Sequence, residues 1–319
     1  MDFGFSAPFR GPLANAADLR NIANRAEALG YNVISVSDHL VVPGAIAPNY
    51  PYSDTGEFAW TADGSGDCME QFTLLGWLAA ATSTIRLLTS VIVIPHRNPV
   101  FMAKSIATTD QLSGGRVILG CGAGWMREEF EALGLPDFEA RGRVTNEYLE
   151  AMKVLWTEAR ASYQGEFVAF NDVAADPKPE QTPHPPIWIG GESGPAMRRA
   201  VALGDGWYPF GSNPKFRMDT LEAYTARRDR LFQLAENAGR DPATIQLAYN
   251  CAFHSETEKP GTNGGRLAFT GTAEQRAEDI RALAAAGVST LMINVTSTDR
   301  SEMLERMQAF SEEVMPLVA

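Results

Sequence analysis

The fold is decided by one stretch, residues 85–124, which reads IRLLTSVIVIPHRNPVFMAKSIATTDQLSGGRVILGCGAG. Its first part, Ile85–Ile94, is almost continuously apolar, as is typical of a strand covered on both faces. Pro99 suits the first turn of a helix, and Gly114-Gly115 is expected to end that helix. Arg116–Cys121 then predicts a second strand. A strand, a helix and a second strand in this order form a parallel βαβ unit.

The same alternation runs through the whole chain. The predicted strands are Asp2–Ala7, Asn32–Ser37, Ile85–Ile94, Arg116–Cys121, Pro186–Ile189, Gly206–Phe210, Ile245–Phe253 and Thr290–Val295. Each is followed by helical sequence, and eight unbroken βα units indicate a closed (β/α)8 barrel, the TIM-barrel architecture. The first βα turn lacks the Gly-x-Gly-x-x-Gly fingerprint of an open dinucleotide-binding sheet. Since no Pro-rich or Ser-rich linker interrupts the pattern, residues 1–319 are predicted to form one domain.

Helical periodicity predicts one long helical segment over Met126–Ala159 and a last helix over Ser301–Met315. Thr272 with Gln275 is expected to form a capping box at the start of another helix. The last helix carries one apolar stripe, which we expect to pack against the barrel: Met303, Met307, Phe310 and Val314.

Three stretches exceed the usual length of a connection in such a barrel. They are insertions after strands 2, 4 and 7, at Val41–Asp67, Ser162–Pro185 and Ser255–Gly271. The first is rich in aromatic residues, and the second is expected to add a small hairpin. The first and third leave the C-terminal end of a strand, the face that carries the active site in barrels of this type. Aromatic loops at that face are expected to close over a flat apolar ligand.

The composition excludes several classes of function. The 39 acidic residues outnumber the 27 basic ones, giving a net charge of −12, and no run of Lys or Arg offers a surface to nucleic acid. No apolar stretch is long enough to cross a bilayer, and no secretory signal is expected at the N-terminus. The three cysteines show no CxxC spacing, and no histidine or carboxylate cluster predicts a metal. We therefore expect a cytoplasmic protein without nucleic-acid, membrane or metal partners.

Asp38-His39 directly follows the second predicted strand. It should therefore lie at the open end of the barrel, where imidazole is the side chain best suited to moving a proton near neutral pH. The pair is a candidate for proton transfer, and the alternative is a capped turn in which Asp38 bonds backbone N–H groups. Arg97, after the third strand, is expected to pair with a carboxylate rather than with a ligand.

Two glycine-rich segments follow the fourth and fifth strands. Gly120-Cys121-Gly122-Ala123-Gly124 has glycine at alternate positions, which would let a ligand approach the backbone, although a tight turn explains it equally. Gly190-Gly191-Glu192-Ser193-Gly194-Pro195 runs straight into a helix. Because N–H groups and the positive dipole end of a helix attract anions, this segment is expected to hold a phosphate.

Together these segments resemble the luciferase-like monooxygenase superfamily, and most closely its branch that uses coenzyme F420. The similarity covers nearly the whole chain. It rests on Ser-Asp-His-Leu (37–40), Thr-Ser-Val-Ile-Val-Ile-Pro-His-Arg-Asn-Pro (89–99), Leu-Ser-Gly-Gly-Arg-Val-Ile-Leu-Gly-Cys-Gly-Ala-Gly-Trp (112–125), Glu-Glu-Phe-Glu-Ala-Leu-Gly (128–134), Pro-Pro-Ile-Trp-Ile-Gly-Gly-Glu-Ser (185–193) and Gly-Asp-Gly-Trp (204–207).

The resemblance implies a flavin-like ring at the C-terminal mouth of the barrel. It implies that His39 is the catalytic proton donor or acceptor and that Asp38 bonds the ring. Ser90-Val91 matches the position at which F420 enzymes of this family carry a non-proline cis peptide bond behind the ring. The other implied cofactor contacts are Ala123, Gly124 and Glu128 along the ring and its side chain, and Ser193, Gly194, Ala196 and Met197 at the phosphate.

Departures from the family pattern bear on the substrate. Trp125 stands where the superfamily's glucose-6-phosphate dehydrogenases carry a catalytic Glu, and Phe210 and Asn213 replace their phosphate-binding Thr and Lys. A sugar phosphate is therefore not expected. Together with Trp60 in the aromatic loop, Trp125 and Phe210 indicate a less polar substrate, aromatic or terpenoid.

The leading interpretation is an F420-dependent oxidoreductase that passes hydride between reduced deazaflavin and a small hydrophobic molecule. The alternative cofactor is FMN, used with O2 by a monooxygenase and supplied in reduced form by a separate reductase. A ligand-binding barrel without catalysis, and a hydrolase that uses two of Glu57, Glu128 and Glu129, remain open at this stage. The resemblance also implies a homodimer.

Overall fold

The structure is a computed structural model that describes residues 1–47, 49–58, 60, 66–261 and 264–318. Residues 48, 59 and 61–65 of the first predicted insertion, and 262–263 of the third, lie outside the described residues. In the described part, parallel β-strands at eight positions close into a barrel that is surrounded by helices. The predicted (β/α)8 barrel is thereby confirmed.

The strands and helices, numbered in chain order, follow the predicted alternation. The strands are β1 Asp2–Ser6, β2 Val33–Val36, β3 Arg86–Thr89, β4 Ile92–Val93, β5 Val117–Gly122, β6 Ala161–Gln164, β7 Ala169–Val173, β8 Ile187–Gly190, β9 Gly206–Tyr208, β10 Gln246–Cys251 and β11 Val288–Ile293. The helices are α1 Ala16–Ala28, α2 Gln71–Ala81, α3 Pro99–Ser113, α4 Arg127–Ala132, α5 Arg141–Thr157, α6 Gly194–Leu203, α7 Leu221–Asn237, α8 Ala273–Ala285, α9 Arg300–Ala309 and α10 Met315–Val318.

The barrel closes through pairing of its first and last strands. Its order is β1-β2-β3-β5-β8-β9-β10-β11, and β11 pairs in parallel with β1 so that Phe5 faces Ile293. The barrel is filled by side chains that the strands send inward, and it is a packed core below the mouth. The buried residues of this inner layer are Val33, Leu88, Ile118, Trp188, Tyr208, Ala248 and Met292.

The predicted third strand, Ile85–Ile94, is interrupted in the structure. β3 pairs with β2 and β5, the Ser90–Val91 peptide bond is cis, and β4 then pairs with β5 alone. A run of apolar residues does not reveal such a change of pairing partner, because both halves are equally buried. The interruption places Ser90 and Val91 at the barrel mouth.

The predicted helical segment Met126–Ala159 is also divided. α4 ends at Ala132, a 3-10 turn covers Phe138–Ala140, and α5 starts at Arg141. Gly134, with a φ of +64°, lies between them and Pro136 follows. A left-handed residue and a proline end a helix even where the apolar spacing continues.

Other predicted details are confirmed. Thr272 and Gln275 form the capping box. The stripe on the last helix is fully buried, although its C-terminal half winds as a π-helical turn over Phe310–Val314. The second insertion contains the antiparallel hairpin β6–β7, which lies between α5 and β8 and so precedes a barrel strand. No helix in the described part of the chain combines the length and apolar character needed to cross a membrane.

Candidate active site

A cavity of about 140 Å³ opens among the C-terminal ends of β2, β4 and β5, beneath the aromatic loop that follows β2. This is the face at which barrels of this type carry their active sites. The residues lining the cavity are Ser37, Asp38, His39, Tyr50, Tyr52, Phe58, Trp60, Ser90, Val91, Val93, His96, Gly124, Trp125, Met126 and Glu129. Three segments far apart in sequence therefore share one hollow.

His39 is held by the carboxylate of Glu129 on α4. Nδ1 of His39 lies 2.7 Å from Oε2 of Glu129, and the two side chains are 10% and 1% exposed. The other oxygen of Glu129 accepts hydrogen bonds from the backbone N–H groups of Leu40 at 2.8 Å and Val41 at 3.3 Å. The carboxylate thus fixes both the imidazole and the turn that carries it.

A second histidine, His96, lies on the far side of the same carboxylate. Its Nδ1 is 3.9 Å from Oε1 of Glu129 and has no hydrogen-bond partner in the described structure. Burial lowers the pKa of His96 from its ordinary value, although Glu129 and Asp38 act in the opposite direction. His96 is therefore neutral near pH 7, and an edge-on contact with Phe130 fixes its ring.

Asp38 is bound by the protein itself. Its two oxygens each lie 2.8 Å from a guanidinium nitrogen of Arg97, and Oδ2 also accepts the N–H of Val93 at 2.9 Å. Glu70 accepts a third bond from Arg97 at 3.0 Å. Arg97 thus pairs with carboxylates, as predicted. These hydrogen bonds to Asp38 join the end of β2 to the end of β4.

One glycine of β5 and one of β8 make room for the Val91 side chain. A Cβ on Gly122 would lie 2.6 Å from Cγ2 of Val91, and one on Gly190 would lie 2.9 Å from Cγ1. Real atoms do not approach that closely, so both positions require glycine. At Gly122 the Val91 side chain fills the space that a Cβ would take, whereas Gly124 of the same segment lines the cavity, and the approach of a ligand to this backbone stays a prediction.

Ser90 connects the cavity wall to the barrel interior. Its hydroxyl lies 3.0 Å from the phenol oxygen of Tyr208, which also accepts a hydrogen bond from the Asn250 amide at 2.9 Å. Burial raises the pKa of Tyr208 to about 12, so the phenol stays protonated at neutral pH. The part of the wall formed by Ser90, Tyr208 and Asn250 is therefore polar but uncharged.

Aromatic rings cover the cavity from the solvent side. The His39 ring centroid lies 5.1 Å from that of Trp60 and 5.3 Å from that of Phe58. Trp125 lies 5.0 Å from both Phe58 and Tyr50. Such contacts exclude water from the imidazole and favour a flat apolar ligand.

The predicted phosphate site is the start of α6. Ser193 caps this helix, and its hydroxyl accepts the N–H of Ala196 at 3.4 Å. Gly194 lies beside Arg198, since a Cβ there would be 3.3 Å from the guanidinium. Met197 is different from the other predicted contacts: its side chain is in the core and its N–H donates to the Ser193 carbonyl. An anion here would meet the Gly194 N–H, the Ser193 hydroxyl and the Arg198 side chain.

The loops after β8 and β9 are joined by a buried acid. Glu192 accepts hydrogen bonds from the Phe210 N–H at 2.6 Å and the Asn213 side chain at 2.8 Å. Burial raises the pKa of Glu192, and these two bonds act against that rise. Phe210 in turn packs on Tyr52, with ring centroids 4.8 Å apart. The loop that carries Phe210 therefore rests against the aromatic cover.

The structure gathers only part of the predicted site around one hollow. The predicted residues that line the cavity are Asp38, His39, Trp60, Ser90, Val91, Gly124 and Trp125. Those outside its lining are Ala123, Glu128, Ser193, Gly194, Ala196, Met197 and Phe210. Glu128 is turned toward the loop, where it accepts the N–H of Ala47 at 2.8 Å. Within the described ranges, no three histidine, cysteine or carboxylate side chains group as metal ligands.

Sequence reasoning missed Glu129 as the partner of His39, as well as His96 and Arg198. One signal was present for Glu129. It belongs to the first turn of a short helix at the mouth, where neighbouring residues point to different sides. Helical spacing alone does not tell which of Glu128 and Glu129 faces inward.

Comparison with known proteins agrees with this architecture. A family profile described as luciferase-like monooxygenase matches residues 1–259. An uncharacterized protein of Mycobacterium tuberculosis is 38% identical over 186 residues, which are 58% of this chain and 64% of that protein. The chain thus matches less than two thirds of that relative's length.

Two further proteins resemble the chain over more of its length. The FMNH2-dependent dimethylsulfone monooxygenase of Pseudomonas putida is 29% identical over 296 residues, 80% of each chain. The coenzyme F420 dependent tetrahydromethanopterin reductase of Methanopyrus kandleri superposes with a TM-score of 0.75 at 17% identity, covering 100% of this chain and 99% of that one. The second likeness concerns the fold alone.

Proposed function

The chain belongs to the luciferase-like monooxygenase family, and from that premise we propose that it is an F420-dependent oxidoreductase acting on a small hydrophobic substrate. The observation that carries the proposal is the position of His39, an imidazole fixed by Glu129 at the edge of a cavity in the barrel mouth. The cofactor supplies a carbon that gives or takes hydride. The protein supplies position, exclusion of water and a proton carrier.

The described residues are suited to such a ring. Ser90 and Val91, joined by a cis peptide bond, line the cavity, and the resemblance in sequence implies that bond at that place. The start of α6 offers Ser193, Gly194 and Arg198 to a phosphate. Because the Met197 side chain lies in the core, it is not among the proposed phosphate contacts. Asp38 is proposed to support the ring indirectly, through the part of the cavity wall that it forms with Arg97.

The cavity must widen to admit the ring. Its volume of about 140 Å³ is below the roughly 300–1,000 Å³ that is usual for small-molecule sites. Four aromatic side chains of the loop line it on the solvent side, and we propose that they move outward when cofactor binds: Tyr50, Tyr52, Phe58 and Trp60. The same rings, with Trp125 and Phe210, would then contact a hydrophobic substrate.

His39 is proposed to carry the proton that accompanies the hydride. With Nδ1 occupied by Glu129, the remaining ring nitrogen can take a proton from a substrate hydroxyl or return one to a carbonyl oxygen. Removing water from around the imidazole strengthens such a transfer, because the competing hydrogen bonds to solvent are lost.

A second candidate is an FMN-dependent monooxygenase that uses reduced flavin and O2. The observation in its favour is the 29% identity to the FMNH2-dependent dimethylsulfone monooxygenase over 80% of both chains. This candidate would require a separate reductase. The homodimer and the cytoplasmic location stay predictions in either case.

The deciding experiment is a fluorescence titration of the purified protein with F420 and, separately, with FMN. Binding of F420 at lower concentration than FMN supports the proposal. Binding of FMN alone, together with O2 consumption when FMNH2 is supplied, overturns it in favour of the monooxygenase. Binding of neither overturns both and favours a hydrolase or a ligand-binding barrel.

A further inference from the structure

We propose that Glu129 is the positioning residue of the site: its carboxylate keeps a proton on Nδ1 of His39 and so presents Nε2 to the cavity. This deepens the proposed function and rests on it for its catalytic meaning. The tautomer itself is a property of the protein alone.

The first argument is the hydrogen-bonding capacity of the carboxylate. An ionised carboxylate only accepts hydrogen bonds, so the 2.7 Å contact requires His39 to donate from Nδ1. Neutral imidazole carries one proton, and Nε2 is then left as an acceptor. The geometry therefore selects one of the two tautomers.

The second argument is that Glu129 cannot turn away. Oε1 is occupied by the N–H groups of Leu40 and Val41, the two residues that follow His39 in the chain. Glu129 is 1% exposed. Because the same side chain binds the ring and the turn that follows it, Glu129 cannot turn away from His39 without breaking three hydrogen bonds.

The third argument is the absence of a competing cation in the described structure. Among the residues that the structure describes, Glu129 has ion-pair contacts with His39 and His96 only. Arg97 pairs with Asp38 and Glu70, and Arg10 lies over the Trp60 ring, 4.7 Å from its centroid. Burial keeps His96 neutral by lowering its pKa. The charge of Glu129 is therefore directed to His39.

The other groups that face His39 do not replace this contact. Cys68 donates from its Sγ to the backbone oxygen of His39 at 3.2 Å, and burial raises the pKa of that thiol. The remaining neighbours packed on the ring are the aromatic side chains Phe58, Trp60 and Trp125. None of these rings accepts a strong hydrogen bond in the plane of the imidazole.

The test is histidine-selective 15N NMR of the whole chain without cofactor, with the His39 signals assigned through a His39→Gln variant. The wild-type protein at pH 8 is expected to show a protonated Nδ1 and a lone-pair Nε2. The reverse pattern, or an even mixture, would overturn the proposal.

Glu129→Gln sharpens the test. The carboxamide of Gln has one acceptor oxygen, and the N–H groups of Leu40 and Val41 are expected to bind it. The NH2 group of the carboxamide then points toward His39. Nδ1 must then accept, and the proton is expected to move to Nε2. Glu131→Gln is the matched control, because Glu131 is exposed on the same short helix, and it should leave the tautomer unchanged.

An unchanged His39 signal in a folded Glu129→Gln variant would contradict the proposal. If that variant does not fold, the wild-type spectrum still decides the tautomer. Glu129→Asp then tests the contact, because its side chain is shorter and draws the carboxylate away from His39. Cofactor titration fails or succeeds independently of these spectra. A correct tautomer with no cofactor bound would therefore reject the proposed function while leaving the role of Glu129 intact.

Discussion

Asp38 and Arg97 form a two-point ion pair inside the cavity wall, with each carboxylate oxygen 2.8 Å from a different guanidinium nitrogen. The side chains are only 0% and 7% exposed. Because Val93 also donates to Asp38, the pair fastens the end of β2 to the segment that follows the cis peptide bond. The wall against which a ring would rest depends on this contact.

Asp38→Asn is expected to destabilise the fold by about 3 kcal/mol, because it leaves the buried Arg97 with only the part-exposed Glu70 as a counter-charge. Urea unfolding followed by circular dichroism measures the change. Adding Arg97→Met should recover part of the loss, since no buried charge then remains unpaired. Glu302→Gln, in an exposed pair with Arg306, is the control and should change stability by less than about 1 kcal/mol. A loss as small as the control's in Asp38→Asn would contradict the structural role.

His39→Ala is expected to lower turnover by about 10²–10⁴-fold, the range that a positioned acid or base contributes. Cofactor affinity should change little, since the proposed binding contacts lie mainly in the backbone and at the start of α6. Titration and turnover, measured with the substrate that the wild-type enzyme accepts, separate the two effects. His184→Gln, which precedes β8 at the other end of the barrel, serves as control. Equal activity of His39→Ala and wild type would reject the catalytic assignment.

Gly122→Ala is expected to destabilise the protein by about 1–3 kcal/mol, the usual cost of overpacking a filled space. The reason is the 2.6 Å approach of the new Cβ to Val91. Val91→Ala in the same chain should restore part of the stability by removing the obstructing methyl groups. Chemical unfolding of the single and double variants gives the comparison.

Gly76→Ala is the matched control for that substitution. Gly76 lies inside α2, and a Cβ there meets nothing within 4 Å. Alanine should therefore stabilise the protein by up to about 1 kcal/mol through its higher helix propensity. If Gly122→Ala behaved like Gly76→Ala, the close contact with Val91 would not exist in solution.

The protein is expected to lose stability as the pH falls below about 6.5. Burial, reinforced by Arg276, lowers the pKa of His254 from 6.5 to about 4, whereas the unfolded chain retains the ordinary value. Between these values the unfolded state binds more protons, so unfolding becomes easier as the pH falls. His96 acts in the same direction because burial lowers its pKa as well.

The expected contribution of His254 is about 1–2 kcal/mol between pH 7 and pH 5. His254→Gln keeps an acceptor for the Arg276 guanidinium, which lies 3.0 Å from Nε2, but it does not titrate. The variant should therefore lose less stability than wild type over this interval in urea unfolding. An identical loss in both proteins would show that His254 is not buried as a neutral ring.

Binding of the cofactor is expected to change tryptophan fluorescence through displacement of the aromatic loop. Trp125 contacts Phe58 and Tyr50 of that loop, whereas Trp156 is a buried residue of α5 whose indole N–H donates to the Ala103 carbonyl on α3. The double variant Trp60→Phe/Trp125→Phe should remove most of the signal change, because Trp60 lies in the loop and Trp125 packs on it, and Trp156→Phe should retain it. If the double variant kept the full change, the loop would not be the moving part.

Much of the site could be predicted from local sequence. Asp38-His39 after a strand and Ser193 before a helix are recognisable because a barrel places every strand's C-terminal end on one face. The aromatic loop was recognisable from its length and composition. Local sequence could not show which way side chains point, as with Glu129 facing the cavity in place of Glu128. It also could not show that Gly122 and Gly190 make space for the Val91 side chain.

The sequence alone determined the alternation of strands and helices, the closed barrel and the end at which chemistry belongs, because periodic burial and helix caps are local properties of the chain. Only the tertiary structure decided which side chains form pairs at the mouth of the barrel. Asp38 pairs with Arg97, and His39 pairs with Glu129, which lies 90 residues further along the chain. Such contacts depend on side-chain packing between segments that the sequence leaves far apart, and on the exclusion of water that makes each hydrogen bond selective.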